Sequence, residues 1–133
     1  MYMLDTDICI YVIKNKPKNV LKHFQQLQIH ELCISAITFA ELMNGAKKSR
    51  RVEHNTAKLE QLTELLDIKP FDSKAATAYG DVRSTLEKAG KTIGSNDLLI
   101  AAHALSLDCI LVTNNEKEFS RVDGLIIENW TNP

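Results

Sequence analysis

Three acidic residues, Asp5, Glu41 and Asp97, stand where a folded chain can gather them into one cation site. Asp5 follows the short apolar run Tyr2-Met3-Leu4, and Asp97 falls in the first turn of a helix expected to be capped by Ser95. Glu41 belongs to a helix that starts just past a second apolar run, Leu32-Cys33-Ile34. The polar run Thr113-Asn114-Asn115-Glu116 follows the clearest apolar run of all, Cys109-Ile110-Leu111-Val112. Hard divalent cations such as Mg2+ and Mn2+ take several oxygen ligands, and carboxylates supply both oxygen and charge. A cluster of that kind lowers the pKa of a bound water and stabilises charge on a phosphate in transfer.

Each acid also has a plainer explanation. A helix N-terminus favours Asp97 by about 0.3–1 kcal/mol on its own, and Asp5 reads equally well as an N-cap. Glu41 resists such an account. Its neighbours Phe39, Ala40, Leu42 and Met43 suggest a largely buried segment, and a lone buried carboxylate is costly unless paired or metal-bound. The histidines His23, His30, His54 and His103 have no metal-ligand spacing; His103, on an apolar helix, reads as a core histidine and the others as surface groups. There is no G-x-G-x-x-G, P-loop or nucleophile elbow. Lys47-Lys48-Ser49-Arg50-Arg51 is the strongest basic cluster. It suits a solvated helix end and a phosphate-contact surface equally.

The elements that must position these residues follow from the apolar pattern. The three runs already named are short buried strands, and weaker ones lie around Ile68 and Ile126-Ile127. Ile8, Tyr11 and Val12 recur at helical spacing until Asn15-Lys16-Pro17, and Val20, Leu21, Phe24 and Leu27 make a second helix. Ser35 is the expected N-cap of the Glu41 helix. Further helices run from Val52 to Leu66, with Leu59, Leu62, Leu65 and Leu66 on one face, from Ala75 to a stop near Gly90, and from Leu98 to Leu107. Short apolar strands alternating with helices predict an α/β protein, a three-layer α/β/α sandwich with a central, mostly parallel sheet. In such a sheet functional groups gather beyond the carboxyl ends of the strands. A single domain over residues 1–133 is expected, with a polar end, Asn129-Trp130-Thr131-Asn132.

Composition bounds the partners. Sixteen Lys and Arg against seventeen Asp and Glu give a formal net charge of -1, so a nucleic acid would have to be held by a local basic patch. Cys9, Cys33 and Cys109 are odd in number and set among apolar neighbours, which predicts buried, reduced thiols. With no export signal and no membrane-length apolar run, a cytoplasmic protein is expected.

Four segments, in order, resemble the motifs of PIN-domain ribonucleases, and among these the VapC toxins of bacterial toxin–antitoxin modules. They are Met3-Leu4-Asp5-Thr6-Asp7-Ile8, Ala40-Glu41-Leu42-Met43-Asn44-Gly45, Ile93 to Ala102 around Ser95-Asn96-Asp97, and Leu111 to Phe119 around Thr113-Asn114-Asn115. The similarity runs from Met3 to Trp130. It implies a PIN-like sandwich that binds Mg2+ or Mn2+ through Asp5, Glu41 and Asp97 and cuts structured RNA, commonly tRNA. It also implies a VapB-like antitoxin that blocks the acids with a basic side chain and alone contacts operator DNA. Homodimers are the usual form, building heterotetramers or larger assemblies with antitoxin. The mechanism implied is in-line attack on an RNA phosphodiester by a metal-bound water, with Thr113 and Asn115 positioning it and Thr6 orienting Asp5.

Two positions depart from the family pattern. Asp7 stands where Asn is common; it adds charge and, ionised, can only accept hydrogen bonds, which can draw cations, raise a neighbour's pKa or disturb alignment. Asn115 stands where many PIN domains carry a fourth acid, so it offers a carbonyl ligand without charge. Leu4-Asp5-Thr6-Asp7 also resembles the Asp-x-Asp opening of haloacid-dehalogenase-type phosphatases, with Asp5 as nucleophile and Asp7 as acid/base. That class needs a later acid pair after a strand, which Val112-Thr113-Asn114-Asn115 does not offer. A third alternative is an inactive interaction module whose acids only receive a partner's basic side chain.

Overall fold

In a computed structural model that describes residues 1–132, with Pro133 of the expected domain outside them, the short apolar runs assemble into one parallel sheet. Its strands are β1 (Tyr2–Leu4), β2 (Leu32–Ser35), β3 (Asp67–Lys69), β4 (Ile110–Val112) and β5 (Ile127–Glu128), in the order β3-β2-β1-β4-β5. All four pairings are parallel, and the register sets Tyr2 against both Leu32 and Ile110. The chain winds outward from β1 first to one side and then, from β4, to the other. β1 and β4 therefore flank the switch point, where an open parallel sheet leaves a crevice.

Strand alternation divides the core. Met3, Cys33 and Leu111 face α5 (Ser73–Ala89) and α6 (Ser95–Ser106), where they pack with Val82, Leu86, Ile100 and Ala101. Leu4, Ile34 and Val112 face the other layer, against α1 (Thr6–Lys14), α2 (Lys18–Gln26), α3 (Ala36–Lys48) and α4 (Val52–Leu65). The result is the expected three-layer sandwich. The thiols of Cys9, Cys33 and Cys109 are buried and free. Among the described residues no helix is long and apolar enough to cross a membrane.

Several local details differ from the sequence reading. Gly94, not Ser95, is the N-cap of α6, and Ser95 is its first helical residue. β3 ends before Pro70, which has no N–H to donate. Leu65, the last residue of α4, is 42% exposed although Leu59, Leu62 and Leu66 are buried. A short helix, α7 (Glu116–Phe119), follows β4 and buries Phe119. The polar-looking end holds a core residue: Trp130 is 1% exposed, stacks on His23 at 5.6 Å and meets Tyr2 at 6.1 Å.

Ser35 performs two tasks at the end of β2. Its Oγ accepts the Ile37 N–H at 3.0 Å, capping α3, and pairs with His103 Nδ1 at 2.8 Å. Burial holds the His103 pKa below its ordinary value, so the ring is a neutral core histidine. Ser35→Ala loses the cap and strands a buried ring nitrogen, and should cost about 2 kcal/mol by urea denaturation. A loss under about 0.5 kcal/mol, the scale of an inert surface change, would show that neither bond matters.

Candidate active site

The crevice between the ends of β1 and β4 is where the acids meet. The ladder continues one residue past the strand, with the Asp5 N–H donating to Val112 O at 2.9 Å. This sets Asp5, 6% exposed, at the first turn of α1. One carboxylate oxygen accepts the Thr6 N–H at 2.8 Å, and the other accepts the Thr113 hydroxyl at 2.7 Å. Asp5 is thus the N-cap its position suggested, and also the most buried acid of the group. Burial first, and the charge of Asp7 second, push its carboxyl up to about 6, against the lowering effect of the bonds from Thr113 and Thr6.

Glu41 comes from the second turn of α3 and is half-buried rather than enclosed. Its Oε1 accepts the Thr6 hydroxyl at 2.6 Å and its Oε2 the Asn96 amide at 3.0 Å. The cost of an enclosed carboxylate, which made Glu41 conspicuous in the sequence, falls on Asp5 instead. Thr6 therefore orients Glu41 with its side chain and Asp5 with its backbone.

Asp97, in the first turn of α6, is half-buried and faces α7. Asn115 Nδ2 donates to Asp97 Oδ2 at 3.4 Å and to Glu118 Oε2 at 3.1 Å. Burial pushes the Asp97 carboxyl up to about 7, with help from its hydrogen bond to Glu118 and the charges of Asp5, Glu118 and Glu41. The same pairing draws Glu118 down. Glu118 is the residue that sequence reasoning missed. The fourth acid was sought at Asn115, whereas it sits three residues later, one turn along α7 and beneath the Asn115 amide. Glu116-Lys117-Glu118-Phe119 forms one helical turn, anchored by the buried Phe119, that carries Glu118.

Asp7 has both oxygens on backbone donors, Ile8 N at 2.8 Å and Asn114 N at 3.2 Å. Burial raises its pKa, opposed by those bonds. Its charge in turn raises Asp5. Of the three effects considered for this departure, the neighbour's raised pKa is realised. An acid/base partner for a nucleophilic Asp5 would need a free oxygen, and Asp7 is turned to the β4–α7 loop.

Among the described residues no three His, Cys, Asp or Glu side chains already form a group able to hold an ion. Glu41 is turned to Thr6 and Asn96, and Asp97 to Asn115 and Glu118. The donor set nonetheless suits a hard cation: Asp5, Glu41, Asp97 and Glu118 offer only oxygens, and their mutual repulsion is what a cation relieves. Beside Glu41 opens a hollow of about 300 Å³ lined by Thr6, Ile10, Ile13, Lys14, Asn55 and Lys58. Lys14 and Lys58 are thus cations beside Glu41 that the sequence did not single out. The exposed Lys47, Lys48, Arg50 and Arg51 do not line it.

Comparisons with known proteins agree with this geometry. Residues 2–125 match the family described as PIN domain. The chain is 48% identical over 129 residues to Ribonuclease VapC2 of Haemophilus influenzae (strain ATCC 51907 / DSM 11121 / KW20 / Rd), covering 97% of each chain. It is 45% identical over 130 residues to the tRNA(fMet)-specific endonuclease VapC of Shigella flexneri, covering 98% of each. Among solved structures, the DNA-bound VapBC of Salmonella typhimurium superposes with a TM-score of 0.92 at 41% identity, over 97% of each chain.

Proposed function

Because the chain belongs to the PIN-domain family, and within it to the VapC ribonucleases, we propose that it is the toxin of a type II toxin–antitoxin pair, an endoribonuclease that uses Mg2+ or Mn2+ to cut structured RNA, tRNA above all. The observation that carries this reading is the delivery of Asp5, Glu41 and Asp97 from three separate elements to one crevice, each with a dedicated neutral donor. Asp5, Glu41 and Asp97 would hold the cation, with Glu118 beside Asp97. A divalent cation supplies Lewis-acid charge to a phosphate and makes water a better nucleophile near neutral pH.

The chain's own residues do the rest. Thr113 and Thr6 fix Asp5, Thr6 and Asn96 fix Glu41, and Asn115 fixes Asp97. Partners of this kind lock ligand orientation and tune ligand basicity. Asn115 thereby acts by hydrogen bonding rather than as a charged fourth ligand. Lys14 and Lys58 line the approach to Glu41 and would pair with backbone phosphates. A VapB-like antitoxin, the partner of the structural relatives, would quench the acids with a basic side chain and carry the contact to operator DNA. Such a toxin acts where its RNA is, in the cytoplasm.

The test is direct. With Mn2+ or Mg2+ the purified chain should convert tRNA to discrete fragments, and excess EDTA or Asp97→Asn should abolish them. Intact RNA in every lane would leave an inactive interaction module as the better account. Hydrolysis of p-nitrophenyl phosphate with RNA untouched would favour the phosphatase.

A further inference from the structure

The last turn of the chain reaches the site through Asn114. Thr113 and Asn115, on either side of it, turn their side chains inward to Asp5 and to Asp97 with Glu118. Asn114 turns outward. Its Nδ2 donates to Tyr11 Oη at 3.2 Å on α1, and its Oδ1 accepts from Asn129 Nδ2 at 3.1 Å, with the Thr131 hydroxyl, whose hydrogen goes to Asn129 Oδ1, 3.2 Å away. Its backbone N–H donates to Asp7 Oδ2 at 3.2 Å.

Asn129 is as fully engaged. Its second amide hydrogen goes to Glu116 Oε2 at 3.0 Å, and its Oδ1 accepts the Thr131 N–H at 3.0 Å and hydroxyl at 2.6 Å. The segment holding Asn129 is itself fixed from behind. Trp130 is buried against His23 and Tyr2, and Asn19 Nδ2 donates to Thr131 O at 3.3 Å. A rigid tail, an amide clasp and the loop that orients two acids are thus in series. The Thr113 N–H on Glu128 O and the Asn129 amide on Glu116 also tie the tail to the loop, and Asp7 ties α1 to it; the Asn114 side chain bonds to α1 and to the tail at once.

We propose that Asn114 is a positioning residue, which fastens the C-terminal segment Asn129–Thr131 to the β4–α7 loop and so sets how Asp5 and Asp97 present their oxygens to a cation. This rests on the reading of those acids as the cation site. Asn114 touches no acid with its side chain, and its effect passes through Thr113 and Asn115.

The experiment compares wild type, Asn114→Ala, Asn129→Ala and the double variant. Mn2+ affinity is read by titration calorimetry, and kcat and KM on one tRNA substrate under steady-state conditions. Each single variant should weaken Mn2+ binding and lower kcat by about 10- to 100-fold, the range for partners that orient metal ligands, with KM within about 2-fold. The double variant should fall short of the sum of the two single losses, because the Asn114–Asn129 bond is common to both. A raised KM with unchanged Mn2+ affinity would make Asn114 a substrate contact and overturn the proposal. Additive losses would overturn it as well, since the two residues would then act separately. Asn129→Ala, outside the loop, guards against a misfolded Asn114 variant. If wild type neither binds Mn2+ nor cuts RNA, the cation-site reading falls and takes this one with it; if wild type does both and the variants match it, only this one falls.

Discussion

Replacing Asp5 with Asn should lower RNA cleavage by about 10³-fold, the several kcal/mol a bound cation contributes to phosphoryl chemistry, and should raise the melting temperature of the metal-free protein. The two effects have one cause. Asp5 is the acid with least access to solvent, 6% exposed, and it faces Asp7 and Glu41 without a cation of its own chain beside it. Ionising it costs the fold stability that only a bound metal returns. Asn keeps the shape and the carbonyl that accepts the Thr6 N–H and removes the charge, giving up only the acceptor of the Thr113 hydroxyl. Alanine would be the poorer probe, since it leaves the Thr113 hydroxyl and the Thr6 N–H without their acceptor. Single-turnover cleavage with Mn2+ and thermal melts in EDTA measure the two arms. Activity within tenfold of wild type would remove Asp5 from the cation site. A lowered melting point would mean that its carboxylate helps the metal-free fold.

The metal-free protein should lose stability as pH rises from about 4 to about 8, and saturating Mn2+ should flatten that fall. Asp5 and Asp97 titrate at about 6 and about 7 in the folded state, against 3.8 for an unperturbed Asp. Between those values the folded chain binds more protons than the unfolded chain. Their contribution is therefore fully present below about pH 4 and is lost as pH climbs through the folded values. For Asp5 a shift of about two units amounts to about 3 kcal/mol. Asp97 adds a smaller share, because solvent reaches half of its environment and screens it. Neutral His103 and the depressed Glu118 work the other way, gaining stability as pH rises. The Asp5→Asn protein isolates the effect. Urea denaturation at both ends of the range should show wild type falling by about 3 kcal/mol more than the variant. Identical profiles for the two proteins would refute the argument.

What the sequence disclosed and what it hid divide along a physical line. Strands announced themselves because β1, β2 and β4 are buried on both faces, so each reads as an unbroken apolar run that ends in a polar residue. Asp5 and Thr113 were legible for that reason. Glu118 was not, because a four-residue helix on the surface has too few positions to display a period. Glu41 was overrated as a buried acid, since Phe39 and Met43 are only partly covered and pack sideways onto the α1–α4 layer. Trp130 was passed over among Asn129, Thr131 and Asn132. A single aromatic can be a core residue without apolar sequence neighbours when it plugs a gap made elsewhere, here beside Tyr2 and His23. Asp7 could be given three roles from its charge alone, and only its placement beside Asp5 in the fold chose among them.

The order of the strands has a bearing on how such a chain is made. β1 is synthesised first, but its neighbour β4 comes from the final quarter of the sequence, and with it Thr113, Asn115 and Glu118. A ribosome extruding this polypeptide holds Asp5 and Glu41 in the open long before the carboxyl-terminal stretch clears the exit tunnel. Until then the groove beside β1 has no second wall. The acid cluster is therefore assembled only after β4 and α7 have been made, whatever part of the chain has already folded.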